Sequence, residues 1–289
     1  MRRSLLFIPG NNPAVLNNSD VFLADGVIFD LEDAVSVDEK DAARLLVAKY
    51  LAGIKKGKTE LLVRINACDS TYLESDLAAI VMPSLDTIVV PKASVKELKK
   101  LDKLLQVLET IRGIKKPIGL LPIIESPQAL LEVVPISKQN RVVGLLFGAE
   151  DYTASMEINR TKNGFEILYP RNVIAVACKA AFIDAIDTPF TDTLDVDALK
   201  VDAQLAKSLG FVGKACIHPS QVEVMNEVFS PTLQEVFQAR RIIQAFEEAK
   251  TAKLGVFSLD GKMIDEPVVK RARTLLSKAK QAGVWREES

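Results

Sequence analysis

Eight short apolar runs recur along this chain at intervals of roughly 20 to 40 residues, most of them followed by a helix-period segment. They cover residues 4–8, 26–31, 61–66, 87–91, 118–124, 142–147, 182–187 and 212–217. Short runs alternating with helical segments call for a mostly parallel sheet clothed by helices. Eight such units predict an α/β fold of the (β/α)8 TIM-barrel type. The other candidate is an open doubly wound sheet. No strand in this chain is followed by the glycine-rich G-x-G-x-x-G turn that would support it. Helix start signals sit where the barrel needs them. Ser94 and Glu97 are spaced as a capping box, and Asn12-Pro13 and Ser126-Pro127 each put a capping side chain before a proline. Asp38 opens a helix through Tyr50 that closes near Gly53, and Gly210 closes the helix over 197–209.

The chain continues past the eighth unit, which predicts a barrel over residues 1–230 and a C-terminal helical extension over 231–289. Thr232 and Glu235 cap a helix whose Val236, Ile243 and Phe246 lie near one face. A turn-rich stretch over 254–265 follows, and Pro267 opens a last helix through Lys280. This tail is too short for a separate enzyme domain, but it can lie as a lid across a barrel mouth, its own or a neighbour's. A net charge of −1 gives no reason to expect nucleic acid or an acidic membrane as partner. No apolar run approaches the roughly 20 residues that span a bilayer. Cys68, Cys178 and Cys216 have neither metal-ligand nor redox spacing, so a cytoplasmic setting is expected. The single histidine, His218, argues against a histidine-rich zinc site.

Strand ends carry the candidate chemistry, because the carboxyl ends of barrel strands are where such folds build sites. Glu125 follows the run 118–124, and Asp151 follows 142–147. Each has an ordinary explanation as an acidic residue in a first helical turn. Together, just past successive strands, they can offer hard oxygens to one Mg2+. Strand parity turns Leu62, Arg64 and Asn66 to one side and aims Arg64 and Asn66 into the barrel mouth. Arg64 suits a substrate carboxylate, or a structural salt bridge to Asp30 or Glu32. Asp30, Glu32 and Asp33 end strand 2 and can orient water around an ion, pair with Arg64, or form a solvated acidic loop. Lys92 follows strand 4, where a Schiff base is conceivable but not needed by a metal-dependent lyase. His218 ends strand 8 and either meets substrate or caps the next turn. Asp265 precedes Pro267 and reads, by pattern alone, as a helix cap.

Several motifs occur in order: Arg3-Ser-Leu-Leu-Phe-Ile-Pro-Gly-Asn-Asn-Pro, Phe29-Asp-Leu-Glu-Asp-Ala-Val, Val63-Arg-Ile-Asn, Ile124-Glu-Ser-Pro, Gly148-Ala-Glu-Asp-Tyr and Leu259-Asp-Gly-Lys-Met-Ile-Asp-Glu-Pro. Across essentially its whole length the chain resembles the citryl-thioester lyases, the β subunits of citrate lyase, within the magnesium-dependent aldolase/citrate lyase family. The resemblance implies Mg2+ on Glu125 and Asp151 and a substrate carboxylate on Arg64; Glu125 and His218, by their places at strand ends, are the further substrate-binding candidates. It implies that Asp265 acts catalytically from a C-terminal lid, often over a neighbouring subunit; Arg64 and, from the end of strand 2, Glu32 and Asp33 are the other catalytic candidates. It further implies an α subunit (an acyl transferase), a γ subunit (an acyl carrier protein) and a homo-oligomer, a trimer or part of a larger complex. The expected reaction cleaves a citryl thioester to oxaloacetate and an acetyl thioester. Relatives that use free coenzyme A tend to carry lysines in the first βα segment, whereas here Asn11–Ser19 has no positive charge. That departure favours a carrier-bound thioester. The alternatives are a stand-alone malyl-, methylmalyl- or citramalyl-CoA-type lyase or thioesterase, and a non-catalytic dicarboxylate-binding or scaffold barrel.

Overall fold

The computed structural model describes residues 1–55, 57–251 and 257–285. Eight parallel strands close into a barrel in sequence order, the last pairing with the first through Ser4↔Lys214 and Leu5↔Ala215. In chain order the barrel runs β1 Ser4–Pro9, α1 Pro13–Asn17, β2 Gly26–Asp30, α2 Lys40–Gly53, β3 Glu60–Arg64, α3 Leu73–Ile80, β4 Thr87–Val90 and α4 Val95–Ile111. It continues with β5 Gly119–Ile124, α5 Pro127–Leu131, α6 Val133–Ser137, β6 Gly144–Phe147, α7 Ala149–Ser155, α8 Leu168–Ala181, β7 Asp184–Asp187, α9 Val196–Leu209, β8 Gly213–Cys216 and α10 Ser220–Phe229. The chain is a TIM barrel with a helical C-terminal extension.

Alternation along each strand sets the core. Leu5, Ile28, Leu62, Val89, Leu121, Ile123, Leu146, Ile186 and Ala215 form one buried cluster inside the cylinder. Their neighbours, such as Val27, Val63, Ile88 and Leu145, are equally buried on the other strand face, towards the helices. The caps form as the sequence predicts. Ser94 accepts from the Glu97 amide at 3.3 Å, Ser126 from the Ala129 amide at 3.1 Å and Asn12 from the Val15 amide at 3.2 Å. Gly210 ends α9 at φ 106°, a conformation that favours glycine.

Two boundaries differ from expectation. The seventh strand starts at Asp184, because Phe182 takes a left-handed cap at the end of α8 (φ 59°) and is almost fully exposed. The segment before α2 forms a single 3-10 turn, Val37–Glu39, and the α-helix itself starts at Lys40. At the amino ends of the strands Arg2 bonds Glu60 at 2.7 Å and Asp184 at 2.9 Å, tying β1 to β3 and β7 away from the chemistry.

The chain divides into two compact units, Arg2–Asn226 and Met1 with Glu227–Ser289, and the boundary falls inside α10. The second unit contains α11 Leu233–Thr251, an antiparallel hairpin of β9 Phe257–Leu259 and β10 Lys262–Ile264, and α12 Glu266–Gln281. The hairpin occupies most of the stretch read as turn-rich, of which residues 254–256 lie outside the described residues. Its turn, Asp260-Gly261, has positive φ at both positions, as a tight hairpin turn requires. Thr232 and Glu235 form a reciprocal capping box at the start of α11. Arg273 of α12 stacks over Phe246 of α11 at 5.6 Å.

Candidate active site

Asp30, Glu32, Asp33, Arg64, Lys92, Glu125 and Asp151 all lie at or just past the carboxyl ends of β2 to β6, on one rim of the barrel. Asp30 is the anchor. Its two oxygens accept from Arg64 Nε at 2.7 Å and Nη2 at 2.5 Å, a fork-on-fork pair. They also accept from the amides of Glu32 at 2.9 Å and Ala34 at 3.0 Å, which bends the chain back over the strand end. The remaining guanidinium nitrogen, Nη1, lies 3.2 Å from Glu32 and 3.3 Å from Asp33. Burial works to lower the Arg64 pKa, but its bonds to Asp30 and the nearby Glu32 and Asp33 outweigh it and hold the group above its ordinary value. The salt bridge that sequence offered as the alternative to substrate binding is therefore present. Arg64 is prealigned by three carboxylates, with Phe7 stacked beneath it at 5.2 Å.

Glu125 is buried where β5 ends, and the Lys92 amide donates to its Oε1 at 2.5 Å. Gly148, at the end of β6, lets it stand there. A Cβ at that position would fall 2.7 Å from Glu125 Cβ and 3.0 Å from its Oε2. β5 and β6 are paired at Ile124↔Phe147, so the segments that carry Glu125 and Asp151 start from neighbouring positions on the same rim. Asp151 lies exposed in the first turn of α7. The start of that helix is fixed by Thr188, a buried residue past β7 whose hydroxyl accepts from the Ala149 amide at 3.1 Å.

Electrostatics at this rim are strained in one direction. Burial pushes the Glu125 carboxyl up to about 7; the Lys92 amide bond partly offsets this, and the charge of Asp151 adds to it. Burial likewise pushes Glu32 up to about 7, against the pull of Arg64. Among the described residues five acidic side chains here face three basic ones, and Lys40 is engaged with the carbonyls of Leu31 and Glu32 at 2.8 and 2.6 Å. Such an excess of hard oxygen suits a divalent cation. Among the described residues no three or more His, Cys, Asp or Glu side chains gather as a ready-made cage. An ion held by Glu125 and Asp151 would lean on water and substrate for its other ligands, the usual habit of Mg2+.

Asn66 sits differently from expectation, and for His218 and Asp265 the capping alternative that the sequence left open is present. Asn66 does not face the mouth. β3 ends at Arg64, the alternation lapses, and Asn66 bonds Asp76 of α3 at 2.8 Å. His218 is exposed, with Nδ1 2.7 Å from the Ser220 hydroxyl and accepting from the Ser220 amide at 3.3 Å, so it caps the turn into α10. Asp265 caps α12, accepting from the Val268 amide at 3.2 Å. Sequence reading passed over Gly148 and Thr188. A glycine ending an apolar strand run was a visible hint of close backbone approach, whereas nothing local marks Thr188.

The profile of the HpcH/HpaI aldolase/citrate lyase family matches residues 3–219. The chain belongs to that family. It is 41% identical to the citrate lyase subunit beta of Leuconostoc mesenteroides subsp. cremoris, covering 96% of this chain and 93% of that protein. It is 32% identical to the mitochondrial citramalyl-CoA lyase of Rattus norvegicus, covering 96% and 86%. Among solved structures it is similar to Mycobacterium tuberculosis CitE in complex with magnesium, acetoacetate and coenzyme A (TM-score 0.79, 28% identity, covering 96% and 97%). A citrate lyase beta subunit from the same organism, complexed with oxaloacetate and magnesium, matches at TM-score 0.67 and 28% identity, covering 79% of this chain and 97% of that one.

Proposed function

We propose that this chain is a Mg2+-dependent carbon–carbon lyase that cleaves a citryl thioester to oxaloacetate and an acetyl thioester, as the β subunit of a citrate lyase. The observation that carries the reading is Glu125 and Asp151 on neighbouring strand ends beside a prealigned Arg64, in a chain of this family.

Glu125 and Asp151 hold the ion, which supplies Lewis-acid polarisation and a template for the substrate oxygens. Arg64 seats a substrate carboxylate, and its bond pair to Asp30 fixes where that carboxylate sits. Glu32 and Asp33, tied to the same guanidinium, orient the polar groups around the reacting hydroxyl. That hydroxyl gives its proton to a carboxylate of the rim, the O–H electron pair becomes the second bond of the ketone of oxaloacetate, and the carbon–carbon bond breaks with its pair passing to the acetyl fragment. The acetyl fragment leaves as a thioester enolate and takes a proton at carbon. Asp265 is the group we assign to that transfer. His218 stands at the end of β8 as a rim contact for the substrate.

Purified chain with Mg2+ and a citryl thioester should release oxaloacetate, and EDTA should abolish the release. Release that persists in the Glu125→Ala, Asp151→Ala double variant would overturn the assignment, and its absence from the wild type would favour a binding or scaffold role. The citramalyl-CoA lyase likeness favours a second reading, cleavage of a free coenzyme A thioester. Against it stands Asn11–Ser19, which offers no cation to a nucleotide phosphate. Turnover of carrier-bound against free thioester separates the two.

The subunit name of the relatives supports a multi-subunit assembly. We assign an acyl transferase α subunit and an acyl carrier γ subunit as partners, in the cytoplasm. No helix among the described residues is long and apolar enough to cross a membrane. Exposed Leu131 on α5, Phe165, Tyr169 and Val176 on and before α8, and Leu194 before α9 lie along helices that touch one another, and they support a homo-oligomer, a trimer in our reading.

A further inference from the structure

We propose that Lys92 binds substrate with its ammonium while its backbone amide holds Glu125, so that one residue serves both the anion and the ion site. The proposal rests on the lyase reading for the identity of the anion, an oxo-acid carboxylate.

The backbone comes first. Lys92 follows β4 at φ 47°, in the left-handed region that a non-glycine residue adopts only when its surroundings demand it. In that conformation its amide points at Glu125 Oε1 across the β4–β5 boundary. The same residue's side chain is 68% exposed, and its Nζ lies 4.0 Å from Glu32 Oε1, at the far limit of an ion pair. So loose and solvated a pair stabilises the fold little. Glu32 reaches Arg64 with its other oxygen, which puts the lysine and arginine charges on either side of one carboxylate.

Comparison of the rim cations among the described residues explains why Lys92 is available. Arg64 gives Nε and Nη2 to Asp30 and shares Nη1 between Glu32 and Asp33. Lys40 is buried against two carbonyls. An incoming citryl group carries two carboxylates, and Arg64 can meet one of them without leaving Asp30. A flexible point charge on a long stem can follow the second as it moves between substrate and product geometry, which a rigid fork cannot.

The test uses Lys92→Met and Lys92→Arg in the full chain, with Mg2+ and oxaloacetate as calorimetric probes. Lys92→Met should weaken oxaloacetate binding about tenfold or more, the scale of one charge-assisted contact, and raise the thioester KM similarly. Its Mg2+ affinity should stay within about twofold of wild type, because the amide that holds Glu125 remains. Lys92→Arg should recover most of the loss. Unchanged oxaloacetate binding in Lys92→Met overturns the proposal, as does a parallel loss of Mg2+ affinity, which would make the lysine a purely structural support. A wild type that binds Mg2+ and oxaloacetate yet cleaves no thioester sinks the lyase reading and leaves the Lys92 result standing. One that does not bind oxaloacetate at all overturns the Lys92 proposal.

Discussion

At the scale of single residues the site is a problem of crowded charge. Glu32 and Glu125 each carry a carboxyl pushed up to about 7 chiefly by burial. The sign of the consequence follows from linkage. Their unfolded values lie near about 4.3, so between there and about 7 the folded state holds protons that the unfolded chain has lost. Stability of the Mg2+-free protein should therefore fall as pH rises through that window, and Mg2+ at pH 8 should restore it. Thermal melts with EDTA and with Mg2+ at pH 5.5 and 8 check this; a Mg2+-free protein that grows more stable towards pH 8 contradicts it. Mg2+ affinity itself should rise from pH 6 to 8, because the ion competes with the Glu125 proton. Gly148→Ala places a methyl against Glu125. It should cost about 10- to 100-fold in Mg2+ affinity, the range for perturbed ligand supports, measured by titration calorimetry.

Secondary-structure elements position these residues through their ends. Thr188, beyond β7, holds the first amide of α7 and with it the turn that carries Asp151. Thr188→Val leaves that amide unpaired in a buried place, at about 1–3 kcal/mol; chemical denaturation should show the loss, and Mg2+ affinity should fall with it. Asp265 presents the sharper case, because one side chain has two jobs to separate. As the α12 cap it can be replaced by Asn at little cost, whereas Ala costs about 0.5–2 kcal/mol. If it also delivers the proton, Asp265→Asn and Asp265→Ala should both lose about 100-fold or more in turnover. Melting temperature should drop only in the alanine variant. An asparagine variant with wild-type turnover would leave the cap as the residue's whole role.

For the molecule as a whole, stability and assembly rest on features remote from the rim. Arg171 and Lys214, both fully buried, share Asp187 and Asp202 at 2.5–2.8 Å, locking α8 and α9 to β7 and β8. Arg171→Met should cost about 3–5 kcal/mol in urea unfolding, since it leaves buried carboxylates under-compensated. The eight strands, most of the caps and the rim position of Glu125, Asp151 and Arg64 were legible in the sequence, because strand alternation and helix capping are local rules acting over two to four residues. Which partner each charged side chain finds was not. Asn66 turns to Asp76, Arg64 to Asp30, and Lys92 lends its amide to Glu125, because those contacts join residues 10 to 34 positions apart through barrel closure. Local pattern determined where the charges stand. Only closing the cylinder brought five carboxylates to one rim, where burial and neighbouring negative charge raise Glu32 and Glu125.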